Sequence, residues 1–221
     1  MKSFFVTVNY DKKITIPKDV INKLPQKIML FMTAQLINQQ KEMIKFLNEN
    51  GKTVLLEKPR HTIHVGQILG CDTEIINGDF DAFFYIGDGL FHPQALIMNN
   101  SKPVHVWDAI NEKYRFLTSD DAKLIRKKIG VAKTAFMMAE NVGVLVTTKP
   151  GQNKLLSFMK IKDKYPNKKF YYLVNNSVNF DTLEDFPFIE VFVNTACERI
   201  AYDDYDKFRK PVLNFEDLPE N

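Results

Sequence analysis

Runs of consecutive apolar residues, each too short for a core helix, are the strongest constraint in this chain. "KIMLFMT" (27–33), "AFFYIGDG" (82–89) and "VGVLVTT" (142–148) do not alternate apolar with polar. A strand of that kind is buried on both faces, so its sheet needs helices on both sides, and such sheets are parallel. "KTVLLE" (52–57), "KPVHVWD" (102–108), "KFYYLV" (169–174) and "IEVFVNT" (189–195) read as further strands. Another is expected at "FFVTV" (4–8), followed by a connector over 14–25 punctuated by Pro17 and Pro25.

Helical periods fill the gaps. In 34–51, Leu36, Ile37, Met43, Ile44 and Leu47 share a face, and Gly51 is a natural stop. Helices are expected from about 119 to 141 and over 154–165, with a short helix or turn over 197–208. The order repeats. Lys102, Pro103 and Val104 match Lys210, Pro211 and Val212. Thr33 and Gln35 match Thr148 and Gln152, and "FYIGDG" takes the slot of "FVNTACE". The fold class is therefore α/β, with two tandem similar domains, each a small mostly parallel sheet flanked by helices. The boundary falls at 1–117 and 118–221, in the linker "NEKYRFLTSDD" (111–121).

Composition narrows the partners. The net charge of +3 is mild and no Lys/Arg stripe forms, which argues against direct nucleic-acid binding. No window reaches the ~18 apolar residues of a membrane span. The N-terminal apolar stretch alternates and is too short for a signal peptide, so a cytoplasmic protein is expected. Two cysteines in 221 residues read as reduced thiols, not as a disulfide framework.

Ligands of open parallel sheets bind at the carboxyl ends of the strands. Three loops qualify. Gly87, Asp88, Gly89 and His92 form a glycine loop that departs from the dinucleotide fingerprint, because His92 stands where that motif has its last glycine. It could hold an anionic metabolite, or be a tight turn with a capping Asp. Lys149, Gly151 and Gln152 lie in a second loop, where a lysine could meet a carboxylate or phosphate or simply face solvent. The third loop holds Cys197, which as a residue type is most often a small buried filler, and otherwise a nucleophile or a metal ligand. Cys71 likewise follows an apolar run, and neither cysteine has C-x-x-C spacing. "RHTIHV" (60–65) alternates like a strand, so His61 and His64 are assigned no metal role.

The motifs "GQILGCD" (66–72), "DAFFYIGDGLFHP" (81–93), "GVLVTTKPGQ" (143–152) and "VFVNTACERIAYDDYDKFRKPVL" (191–213) occur in one order. In that order they resemble the diphthamide synthase family, also called 2-(3-amino-3-carboxypropyl)histidine synthase. The resemblance runs from about Leu24 onward. "IGDG-x-FHP" and "NTAC-x-RIA-x-DD" are its most specific parts.

The resemblance implies three similar domains, each giving one cysteine to a four-iron four-sulfur cluster whose open iron binds S-adenosylmethionine. It implies transfer of the 3-amino-3-carboxypropyl group, as a radical, to a histidine of elongation factor 2, the first step of diphthamide formation. Carried over by position, Cys71 resembles the cysteine of the middle domain and Cys197 that of the last. The soft, charged thiolate suits such a cluster. The loops with Gly87, Asp88, Gly89 and His92, and with Lys149, Gly151 and Gln152, are then expected to wall the S-adenosylmethionine pocket. Residues 1–23 resemble the tail of the first domain, whose body and cysteine have no counterpart here. A companion chain carrying both is expected, in a homo- or heterodimer. Met1 at the start argues weakly against an arbitrary cut. The alternative is a non-catalytic scaffold or electron-delivery subunit.

Overall fold

The apolar runs become the central strands of two sheets. The computed structural model describes residue 6 and residues 8–219, and the chain divides into two units, Met1–Lys123 and Leu124–Asn221. Unit 1 runs α1 (Lys18–Lys23), β1 (Lys27–Met32), a 3-10 turn (Ala34–Gln39), α2 (Gln40–Glu49), β2 (Thr53–Leu55), β3 (Ala82–Gly87), α3 (Phe91–Asn99), β4 (Val104–Asp108) and β5 (Lys113–Leu117). Its sheet has the order β2-β1-β3-β4-β5, with β5 alone antiparallel. Unit 2 takes up α4 (Lys123–Met138), then β6 (Asn141–Thr147), α5 (Leu155–Ile161), β7 (Lys169–Asn175), β8 (Val191–Asn194), α6 (Arg199–Asp203) and β9 (Val212–Asn214). Its order, β7-β6-β8-β9, is fully parallel. The expected α/β class with mostly parallel sheets is the one observed.

Both faces of the strands are covered. Ile28, Leu30 and Met32 of β1 share a core with Val20, Ile21, Leu47 and Trp107. In unit 2, Val142, Val144 and Val146 pack with Ala132, Phe136 and Phe158, while Leu145 joins Phe192, Leu183 and Val212 on the other side. Burial on both faces is what an unbroken apolar run can satisfy and an alternating one cannot.

The repeat is physical as well as sequential. Lys102 donates from Nζ to the carbonyls of Gly78 and Phe80, and Phe83 N bonds Pro103 O. Lys210 donates to the carbonyls of Phe186, Pro187 and Ile189, and Phe192 N bonds Pro211 O. In each unit a Lys-Pro pair therefore clamps the entry to the third strand. The counterpart of Thr33 is Thr147, one residue before Thr148. Thr33 Oγ1 accepts from Gln35 N, and Thr147 Oγ1 accepts from Lys149 N.

Several expectations change. The "FFVTV" strand lies largely outside the described residues. The connector over 14–25 contains helix α1 between its prolines. The 34–51 helix splits, because Thr33 caps a 3-10 turn before α2 begins. Helix α3 goes unnoticed in the sequence because Pro93, Ala95, Leu96, Ile97 and Met98 are all buried, leaving no polar face to mark a period. The stretch read as a linker forms β5, which returns through Glu112 at φ 53° to pair with β4. The division between units accordingly falls after Lys123, beyond the capped turn Ser119–Ala122.

His105 lies buried in β4 against the Tyr114 hydroxyl, 2.9 Å away. Burial, aided by Lys52, lowers its pKa to about 4. A depressed folded pKa gives stability that is complete above the unfolded value of about 6.5 and is lost as pH falls toward 4. The urea midpoint of unit 1, followed through Trp107 fluorescence, therefore falls across that window, and His105→Phe flattens the slope. In unit 2, a Cβ on Gly143 would meet Phe192 Cδ1 at 2.6 Å and Ile189 Cδ1 at 2.9 Å, both in buried side chains. Gly143→Ala is expected to cost ~1–3 kcal/mol, seen as faster hydrogen exchange in β6 and β8.

Candidate functional site

In each sheet the connections leave the first strand in opposite directions, so the carboxyl ends of β1 and β3, and of β6 and β8, flank a switch point. In unit 1 this is a crevice of about 160 Å³ bordered by Tyr10, Thr33, Gln35, Gly87, Asp88 and Ile110. The volume suits a small polar group and is below that of most cofactor pockets.

Asp108, at the end of β4, fixes the glycine loop. Its carboxylate accepts from Gly89 N (3.1 Å), Ile110 N (3.2 Å), Asn111 N (2.9 Å) and Asn111 Nδ2 (3.0 Å). Burial raises its pKa, but these donors outweigh it and hold the carboxyl below the usual range. Gly89 takes the left-handed region at φ 55°, and Asp88 is exposed. His92 stacks on Tyr85, with ring centroids 6.3 Å apart, and meets Phe91 edge-on. Burial first, then the Asp88 charge, pushes the Tyr85 hydroxyl pKa upward.

Cys71 sits at the corner of a tight turn beside this loop. Residues 66–68 run along the end of β1, where Met32 N bonds Gly66 O and Ile68 N bonds Met32 O. The chain then turns over 69–72. Asp72 N bonds Leu69 O at 3.1 Å, and the Asp72 side chain accepts from Leu69 N at 2.7 Å. Gly70 lets the Phe91 ring pack directly on the turn, where a Cβ would lie 2.2 Å from Phe91 Cε1. Cys71 is half-buried between buried neighbours.

The strand reading of "RHTIHV" does not hold. Thr62 closes a turn on Pro59, and Gln67 Oε1 accepts from Ile63 N and His64 N. Those local bonds fold the segment back, and Asp72 accepts from both the backbone and the ring of His61. Ligand atoms of His61, Cys71 and Asp72 all lie within 4.8 Å of one another. Among the described residues no other group of three or more His, Cys, Asp or Glu side chains converges in this way.

Unit 2 presents Cys197 by a related device. Asn194, buried at the end of β8, donates from Nδ2 to Cys197 O (2.8 Å) and Asn214 Oδ1 (2.7 Å) and accepts from Ala196 N (3.1 Å). Asn214 donates to Glu198 O. Lys154 bonds Thr195 O through its backbone and pairs with Glu198 and Glu216 through its ammonium. Burial lowers the Lys154 pKa, but the two carboxylates more than offset it and the net shift is upward. Residues 194–196, 198 and 199 are buried, and Cys197 is half-exposed among them. Lys149, Gly151 and Gln152 lie in one exposed turn, with Gly151 at φ 76° and Gln152 N bonded to Lys149 O.

Sequence reasoning missed Asp108, Asp72, Asn194, Asn214 and Lys154. A signal did exist for the asparagines. Asn is depleted in strands, yet "FVN" and "VLN" end two adjacent strands with it.

A family model described as "Putative diphthamide synthesis protein" matches residues 1–218. The chain belongs to this family. It is 36% identical over 196 residues to a Pyrococcus horikoshii protein named 2-(3-amino-3-carboxypropyl)histidine synthase, covering 87% of this chain and 56% of that one. It is 28% identical over 222 residues to subunit 1 of the synthase of that name from Saccharomyces cerevisiae, covering 95% and 51%. The solved structure of Dph2 from Pyrococcus horikoshii with a 4Fe-4S cluster aligns with a TM-score of 0.74 and 31% identity, over 90% of this chain and 58% of that one. The chain thus spans a little over half the length of these relatives. No helix among the described residues is long and apolar enough to cross a membrane.

The Asn194 network yields a test at Cys197. Asn194→Ala strips a partner from Ala196 N and from Cys197 O. It is expected to destabilise unit 2 by ~1–3 kcal/mol and to speed hydrogen exchange at the Ala196 and Ile200 amides.

Proposed function

We propose that this chain is a component of the enzyme that transfers a 3-amino-3-carboxypropyl group from S-adenosylmethionine to a histidine of elongation factor 2, the first step of diphthamide formation. The observation that carries this reading is the placement of Cys71 and Cys197. Each stands half-exposed at the carboxyl end of its own unit's sheet, in a loop pinned by buried Asp72 or Asn194. Family membership and the 4Fe-4S cluster of the aligned Dph2 structure support it.

In this reading Cys71 and Cys197 are ligands of a four-iron four-sulfur cluster. The donor set fits, since thiolate is the soft anionic ligand such clusters take. When bound, the cluster supplies the electron that cleaves the sulfur–carbon bond of S-adenosylmethionine. The chain's own residues position the reactants. The Gly87 and Gly89 backbone lets a ligand come close, Asp88 and His92 offer polar contacts in unit 1, and Lys149, Gly151 and Gln152 offer substrate contacts in unit 2. A companion chain carrying the family's first domain completes the enzyme, which acts in the cytoplasm.

Anaerobic reconstitution with iron and sulfide tests the reading. Iron retention is expected to fall sharply in Cys71→Ala and in Cys197→Ala. Methylthioadenosine release with S-adenosylmethionine and a reductant is expected to vanish in both. Unchanged iron and turnover in both variants would refute the cluster assignment, and iron binding without turnover, even with the companion chain, would favour a scaffold or electron-delivery subunit.

A further inference from the structure

We propose that Lys154 is a positioning residue for Cys197 that also sets the charge beside it, a role that rests on the cluster reading above. The first argument is where its two ends bind. The Lys154 amide donates to Thr195 O at 2.9 Å, and its ammonium pairs with Glu198. These bonds straddle the cysteine, one just before it and one directly after it. Lys154 is itself held at the start of α5, where its carbonyl accepts from Ser157 N at 3.1 Å and Phe158 N at 3.0 Å. A side chain anchored on a helix holds a loop more closely than one carried by another loop.

Convergence is the second argument. The same ammonium pairs with Glu216 and lies 5.7 Å from the centre of the Phe215 ring. Segments far apart in the chain, at 154, 194–198 and 214–216, therefore meet around one nitrogen. Asn214 completes the junction by accepting from Asn194 Nδ2 and donating to Glu198 O. The pairing is sheltered, with the Lys154 and Glu198 side chains 22% and 9% exposed. Solvent screens such a pair poorly, so loss of the ammonium is felt strongly.

Charge is the third argument. Two carboxylates share one ammonium, which leaves a net negative charge next to Cys197. Burial first, and then the charge of Glu198, raises the Glu216 pKa in spite of the ammonium. An electron added to a cluster bound at Cys197 adds negative charge, so a nearby carboxylate opposes reduction and a nearby ammonium favours it. The Cys71 turn is closed differently, by the Asp72 carboxylate accepting from backbone amides. In unit 2 the group that holds the cysteine loop is a cation.

The test compares Lys154→Met, Lys154→Arg and Glu216→Gln above neutral pH. Each is read by hydrogen exchange of the iron-free chain and by the reduction potential and iron retention of the anaerobically reconstituted chain. Lys154→Met should speed exchange at the Ile200 and Ala201 amides several-fold, weaken iron retention by roughly 10-fold, and make the cluster harder to reduce. Lys154→Arg should restore the potential and most of the retention. Glu216→Gln breaks one of the same ion pairs but removes a negative charge, so it should leave loop exchange near the wild-type rate and make the cluster easier to reduce. A merely structural ion pair would move the potential in the same direction, or not at all, in Lys154→Met and Glu216→Gln, and that result overturns the proposal. Unchanged loop exchange in Lys154→Met also overturns it and leaves the cluster reading standing. A wild-type chain that takes up no iron, even with its companion, sinks the cluster reading and with it the charge role of Lys154, while the exchange rates still decide whether Lys154 holds the Cys197 loop.

Discussion

Parallel strands buried on both faces can be joined only by crossing over the sheet. Every crossing starts at a carboxyl end, so the loops of each unit gather along one edge. Phe84, Ile86, Val144 and Val193 are too deeply buried to contribute chemistry. The polar residues with functional potential are displaced to the ends of the strands: Thr33, Asp108, Thr147 and Asn194. Because both units use the same order for their first four strands, each has one switch point and one cysteine loop near it.

The loops are then fixed by side chains that substitute for the missing ladder. Asp108 gathers four donors around the glycine loop, Asp72 closes the Cys71 turn, and Asn194 bridges the Cys197 turn to β9. Each is a buried polar group whose bonding capacity is spent on loop backbone or on a side chain that shapes the loop. Leaving such a group unpaired costs more than an ordinary hydrogen bond contributes, so these residues restrict the loop to one conformation. A thiol at the corner of such a turn is presented with little freedom, as a ligand must be.

How much of this was legible follows the same division. The central strands were readable because their burial is written directly as unbroken apolar runs. Helix α2 was readable because Met43 and Leu47 lie on one face and Gly51, at φ 77°, ends it. Strand β5 was hidden because it lies at an edge, where Lys113 and Arg115 face solvent and look like a linker. The two cysteines stood out by rarity, but His61 did not. Its neighbour Cys71 lies ten positions away, and what joins them is a buried aspartate whose function only the folded turn reveals. The same holds for Lys154, which reaches Glu198 and Glu216 across the chain.

The central claim is that both cysteine loops present metal ligands. Iodoacetamide labelling, read cysteine by cysteine by peptide mass spectrometry, tests it most directly when the iron-free and iron–sulfide-loaded chains are compared. The account predicts that Cys71 and Cys197 are both alkylated in the iron-free chain, both protected in the loaded one, and both exposed again when the iron is chelated. A loaded chain in which either cysteine still reacts as fast as in the iron-free form would contradict it.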